Sequence, residues 1–180
     1  MSRTSASLFA RRVWFERKFT LGVPPEAFPD ILERVRGTPA RLEERVSGLG
    51  RETLVRRVGE AWSIQENVGH MLDLEALWAG RLDEFARGDD RLRPADLENR
   101  KTHDARHNEA TMEALLAELR RARSEIVRRA EALHPSSLEH AALHPRLGQP
   151  MTVVDHLFFV AEHDDHHLAR IGELIRRFGA

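Results

Sequence analysis

The chain contains no cysteine, which excludes disulfides, cysteine-ligated zinc and thiol catalysis by its own side chains. Ten histidines and the carboxylates are then its whole metal-binding vocabulary, and cysteine usage says nothing about redox compartment. Excess charge of one sign is also missing. With 28 basic and 29 acidic side chains the formal net charge is -1, so no global field draws the protein to phosphate backbones and nucleic acid is not an expected partner. No apolar run approaches the length of a membrane span, and the N-terminus lacks the apolar core of a secretory signal. A soluble cytoplasmic protein without a membrane partner is the expectation. Alternating strand patterns, internal repeats and low-complexity tracts are absent as well.

What is present is helical periodicity. Residues 1–24 carry Trp14, Phe15 and Phe19 among arginines and read as an N-terminal arm packing its aromatics on the body; residues 25–180 are long enough for one domain around one core. Phe28, Ile31, Leu32 and Val35, then Leu42 and Val46, predict helices over 26–36 and 39–47, or one element kinked at Pro39. Ser63 and Glu66 form a capping box that opens a helix over 64–87, running from Ile64 to Phe85. A third helix is expected over 105–133, and Thr152 caps a fourth over 153–178. The intervening 88–100 and 134–150 read as polar connections because of their glycines and prolines. The fold class is therefore all-α, a four-helix bundle with an N-terminal arm and polar crossover connections.

Chemistry concentrates in the last helix. His163 and His167 are four residues apart, so their imidazoles sit one above the other, about 6 Å along the axis, and can share one divalent ion. Spacing alone is weak, since ten histidines in 180 residues give about 0.5 such pairs by chance and His103/His107 and His140/His144 show the same interval. Polar neighbours assign the first of these pairs to a solvated surface, and a proline-flanked segment assigns the second there too. His166 faces solvent on the helical wheel, and His156, about 10 Å along the axis from His163, is a core or supporting histidine. Asp164 falls inside the apolar arc and needs a partner, either a ligand imidazole it orients or an arginine it holds. His70, on the border of the second helix's apolar arc, can face the core. One turn earlier, Glu66 is either a cap or a base acting on a bound water.

The tracts Trp62-Ser63-Ile64-Gln65-Glu66-Asn67-Val68-Gly69-His70, His144-Pro145-Arg146-Leu147-Gly148-Gln149-Pro150-Met151 and Ala161-Glu162-His163-Asp164-Asp165-His166-His167 resemble the DinB/YfiT-like superfamily of metal-binding four-helix bundles over about residues 26–178. The resemblance implies a divalent ion, for example zinc, nickel or iron, held by His70, His163 and His167; Trp14, Phe15 and Phe19 in the arm, with more apolar residues than one small bundle needs, suggest a homodimer, as in many members of that family. The resemblance also implies one of several functions on a small-molecule substrate. These are a thiol-cofactor-dependent S-transferase using a low-molecular-weight thiol, a metal-dependent hydrolase, or a non-catalytic metal-binding or stress-response protein. Because the chain has no thiol of its own, any sulfur at the metal would come from a cofactor, which favours the first.

Overall fold

The computed structural model describes residues 11–179; the first ten residues of the expected arm lie outside that range. Four long helices make the body: α1 (Phe28–Val46), α3 (Ile64–Arg87), α5 (Met112–Glu131) and α6 (Val153–Phe178). Helix α3 packs on α5 and α6, and α1 closes the bundle against the same two. Two short helices, α2 (Arg51–Val55) and α4 (Arg100–Asp104), lie in the connections. None of the described helices is long and apolar enough to cross a membrane.

The two helices that matter most for function are the best punctuated. Ser63 Oγ accepts from Glu66 N at 3.1 Å while Glu66 Oε2 accepts from Ser63 N at 2.9 Å, which starts α3 where the capping box predicts. Thr152 and Asp155 form the equivalent box at the start of α6.

Of the two readings at Pro39, two helices or one element, the structure has the second. Pro39 sits inside one unbroken 19-residue α1. Its missing N–H leaves the carbonyl of Val35 without a helical donor. Arg123 Nη1 donates to that oxygen at 2.9 Å, so a side chain from α5 replaces the lost bond. The third long helix starts at Met112 rather than 105, because Thr111 caps it (Oγ1 to Ala114 N, 3.2 Å) and left-handed Asn99 and Arg106 interrupt the preceding chain.

The segment expected to be loop over 134–150 contains a hairpin. Strands β1 (Ala141–His144) and β2 (Gln149–Thr152) pair antiparallel with Ala142 opposite Met151, and both of those side chains are buried. Four-residue strands with Pro150 in one of them give no readable alternation. Gly148 at φ 64 makes the connecting turn.

The core is divided by a polar layer. One apolar cluster gathers Val35, Leu82, Ile126 and Leu157 with their neighbours, and another gathers Leu42, Val68, Leu119 and Ile171. Between them each long helix supplies one buried polar residue: Thr38, Glu75, Arg123 and Asp164. Arg123 is 1% exposed, and all its donors have acceptors: Nε on Glu75 (3.1 and 3.2 Å), Nη2 on Glu75 and Asp164, and Nη1 on Asp164 and Val35 O. Burial alone would depress this guanidinium, but Asp164 and Glu75 outweigh it and raise it. Burial pushes Glu75 up, with Asp164 adding to the effect against Arg123.

Removing the cation would leave two carboxylates facing each other in a dry core. Arg123→Met is expected to cost about 3–5 kcal/mol in urea unfolding. Arg120→Met, which breaks only the exposed pair with Glu43, should stay within about 0.5 kcal/mol. Equal midpoints for the two variants would mean that the layer does not hold the bundle.

Candidate metal centre

Helices α3 and α6 face each other at the level of the polar layer, and there three imidazoles meet. His70 comes from α3 and His163 and His167 from successive turns of α6; each is at least 93% buried by exposures of 4%, 4% and 7%. Ring centroids lie 5.4 Å (His70–His163), 4.9 Å (His70–His167) and 4.6 Å (His163–His167) apart, and one nitrogen from each falls within 4.8 Å of the others. No other group of three or more His, Asp or Glu side chains comes together in this way among the described residues.

Hydrogen bonding fixes two of the tautomers. Thr102 Oγ1 donates to Asp73 Oδ2 at 2.9 Å, so it accepts from His70 Nδ1–H at 3.0 Å, and the lone pair of His70 is on Nε2. Asn67 Nδ2 donates to the carbonyls of Ser63 (2.7 Å) and Trp62 (3.3 Å), which turns Oδ1 toward His167 Nδ1–H at 2.9 Å and again leaves Nε2 free. His163 Nδ1 is buried with no hydrogen-bond partner. Such an orphan inside a cluster of neutral rings is what a ligand nitrogen looks like without its ion. The donor set therefore fits a divalent ion on three imidazoles, with Thr102, Asp73 and Asn67 orienting two of them.

Burial, more than the neighbouring rings, depresses His70 to about 4 and pushes His163 and His167 well below the usual histidine range. All three are neutral at pH 7, as ligation requires. The same burial takes His144 and His156 to about 3.

Other residues take different places. Asp164 lies about 100° round α6 from His163 and binds Arg123 and Thr38 (2.7 Å to Thr38 Oγ1), not a ligand ring. His156 is fully buried, with Nε2 3.3 Å from the Trp78 carbonyl and its ring beside those of Trp78 and Phe85. Glu66 is committed to its cap and to Arg57, whose guanidinium hydrogen-bonds both carboxylate oxygens; Arg57 is the main counterweight to burial and holds the carboxyl below its usual range.

Three histidines expected at the surface are not there. His107 is 7% exposed with Nε2 2.8 Å from Asp73, the acid behind Thr102. Its ring lies so close to α3 that only a glycine fits at position 69. His144 is 2% exposed in β1, and His166 is half-buried, its Nε2 2.6 Å from Arg11 Nη1 and its ring against Trp14. Asp73, Thr102 and Asn67 were not anticipated. Their signal was available in part: Asn67, His70 and Asp73 recur every three residues along α3, with a mid-helix glycine among them.

These features define a bundle whose second and last long helices converge three neutral imidazoles on one point, a class suited to holding a metal between helices. The chain belongs to the DinB superfamily, whose family model matches residues 34–171. The structure is similar to YfiT from Bacillus subtilis, described as a probable metal-dependent hydrolase with an unusual four-helix bundle topology (TM-score 0.78, 20% identity, 91% of this chain and 94% of that one). It is also similar to the mycothiol-dependent maleylpyruvate isomerase (TM-score 0.67, 13% identity, 86% of this chain and 64% of the isomerase). At these identities the likeness establishes the fold. No curated protein matches the chain.

Thr102→Val keeps the shape and removes the oxygen that orients His70, so affinity for zinc in a chelator competition should fall about 10–100-fold. His166→Ala, whose ring is bonded to Arg11, should change it only a few-fold. The reverse ranking would mean that the ligand set is misassigned. In metal-free protein the buried neutral rings bind protons only when unfolded, where their ordinary value is 6.5. Unfolded chains then hold more protons, so stability falls as pH drops from 6.5 toward 4, by up to about 1.4 kcal/mol per pH unit per ring. A urea midpoint at pH 5 equal to that at pH 7.5 would contradict neutral burial.

Proposed function

We propose that the chain is a divalent-metal enzyme of small-molecule chemistry, a thiol-cofactor-dependent S-transferase whose ion, zinc, nickel or iron, is held by His70, His163 and His167. The observation that carries this reading is that the three imidazoles form part of the wall of a cavity of about 300 Å³. That volume is at the small end of enclosed ligand sites. Trp14, Trp62, Trp78, Leu74 and Phe159 are among its other lining residues. An ion used only as a clamp between helices needs no such space beside it.

Bound there, a divalent ion with three neutral ligands would supply Lewis acidity, lowering the pKa of a coordinated thiol or water. The residues around it do the rest. Thr102 and Asn67 hold two rings with Nε2 free, and the three tryptophans give the cavity beside them apolar walls. Asp96 is the one carboxylate lining the cavity among the described residues, and its oxygens accept from the backbone N–H groups of Glu98 (3.1 Å) and Arg100 (2.9 Å). Glu66 is spent on Arg57. A hydrolase relies on a free base to take a proton from water, so a site short of one favours a nucleophile that ionises without it. Metal-dependent hydrolysis is the second reading, supported by the description of YfiT, with Glu66 as its base once released from Arg57.

A homodimer is part of the proposal. Trp14 and Phe19 pack on Phe159 within the chain, leaving Phe15, 56% exposed, as the aromatic a second copy could cover. Light scattering at micromolar concentration should give twice the monomer mass, and a monomer would remove this element alone. The enzymatic reading is tested with cobalt-substituted protein titrated with mycothiol, bacillithiol or glutathione. Direct sulfur ligation should produce a new charge-transfer band that His163→Ala abolishes. If none of the thiols alters the spectrum of a water-accessible cobalt site, the transferase reading is abandoned in favour of hydrolysis.

A further inference from the structure

The cavity wall away from the three histidines is rich in donors and poor in acceptors. Arg81, from α3, is 1% exposed and lies among the residues lining it. Unlike Arg123, it forms no ion pair among the described residues: Nε and Nη2 donate to the carbonyl of Arg93 (3.2 and 2.9 Å), and Nη1 lies 3.1 Å from His144 Nε2. Glu84, the acid whose field reaches Arg81, gives its oxygens to the backbone N–H and Nε of Arg93. Beside Arg81, at the hairpin turn, the Arg146 guanidinium lies over Phe15 and Phe159 (5.6 and 5.5 Å to the ring centroids), and its Nη2 is buried with no hydrogen-bond partner. The indole Nε1 of Trp78 is buried and unpartnered too. His144 cannot absorb the surplus. Leu147 N approaches its Nδ1 at 3.2 Å while Arg81 approaches its Nε2, and a neutral ring has one lone pair to share between them.

A buried guanidinium and a half-buried one, neither with a carboxylate partner, are costly in a folded protein. Burial, with Arg146 nearby, depresses Arg81 to about 10, and burial depresses Arg146. Aromatic stacking on Phe15 and Phe159 positions Arg146 without neutralising it. Apart from Asp96, whose oxygens accept from the backbone N–H groups of Glu98 and Arg100, no carboxylate lines the cavity among the described residues, and much of the space in front of the guanidiniums is bounded by apolar rings.

We infer that Arg81 and Arg146 bind the head of a small organic anion, a carboxylate or phosphate carried on an apolar or aromatic body that lies in the tryptophan-lined cavity. That the far end of such a molecule reaches the three histidines rests on the metal-enzyme reading; anion binding itself does not. Paired guanidiniums suit either oxyanion, since both accept two parallel N–H bonds.

All three tryptophans of the chain line this cavity, so intrinsic fluorescence reports its occupancy. Full-length protein stripped of metal with EDTA is titrated with benzoate and with phenyl phosphate, using benzyl alcohol as the neutral match. A saturable response is expected for at least one anion, about tenfold or more weaker for benzyl alcohol, and weakened about tenfold or more in Arg146→Gln. The tighter anion identifies the head. Arg146 is at a turn, and circular dichroism verifies that the variant is folded; Arg81→Lys, which keeps the charge and loses the fork, should weaken binding while remaining folded. Equal binding of benzyl alcohol, unchanged binding in folded Arg146→Gln, or no response to either anion overturns the inference. So does binding that requires metal and disappears in His163→Ala, because the head would then sit on the ion. Anion binding to a protein that takes up no metal would leave this inference standing and remove the enzymatic one.

Discussion

Arg123 fixes the geometry on which everything else depends. One buried guanidinium from α5 reaches an acid on α3, an acid on α6 and a main-chain oxygen on α1, so all four long helices share a single rigid fork. Because Asp164 is anchored to it, α6 cannot rotate, and the next residue round the helix, His163, is held toward α3. The price in desolvation is offset only because every donor is satisfied. Pro39 belongs to the same device: it frees the Val35 carbonyl that Arg123 uses.

The two buried arginines among the described residues illustrate opposite uses of one side chain. Arg123 is matched by carboxylates on two sides and is structural. Arg81 is equally buried, yet its neighbours are a carbonyl, a neutral imidazole and another arginine. Local rules of satisfaction are broken where a protein binds something, and here the breach, the orphan nitrogen of His163 and the cavity occur together. The arm contributes to the same place: Trp14 packs edge-on against His163 at 5.0 Å, and further along the arm the N–H groups of Gly22 and Val23 donate to Asp155 Oδ1 at the start of α6.

How much of this was legible in the sequence depended on whether a feature was local. Capping boxes gave α3 and α6 their limits, since Ser63/Glu66 and Thr152 act within one turn. The convergence of His70 with His163 and His167 was legible from wheel positions plus the family resemblance. What failed was non-local. His107 looked solvated among polar neighbours, but burial came from a fold-back onto Gly69, and its partner Asp73 is 34 residues away. His144 was hidden in a strand too short to alternate, and Arg146 comes near Arg81 only because the hairpin packs against α3, with His144 3.1 Å from Arg81. Whether Pro39 ends the helix was not legible locally, because the donor that replaces its N–H, Arg123, lies 88 residues from Val35.

The central claim is that one ion sits between α3 and α6 on three neutral rings whose tautomers are set by Thr102 and Asn67. Anomalous scattering from crystals of cell-purified protein tests it directly. The account predicts one peak about 2.0–2.2 Å from His70 Nε2, His167 Nε2 and a nitrogen of His163, with Nδ1 of His70 still on Thr102. A peak at His103, His140 or His166, or a peak ligated through Nδ1 of His70, would contradict it.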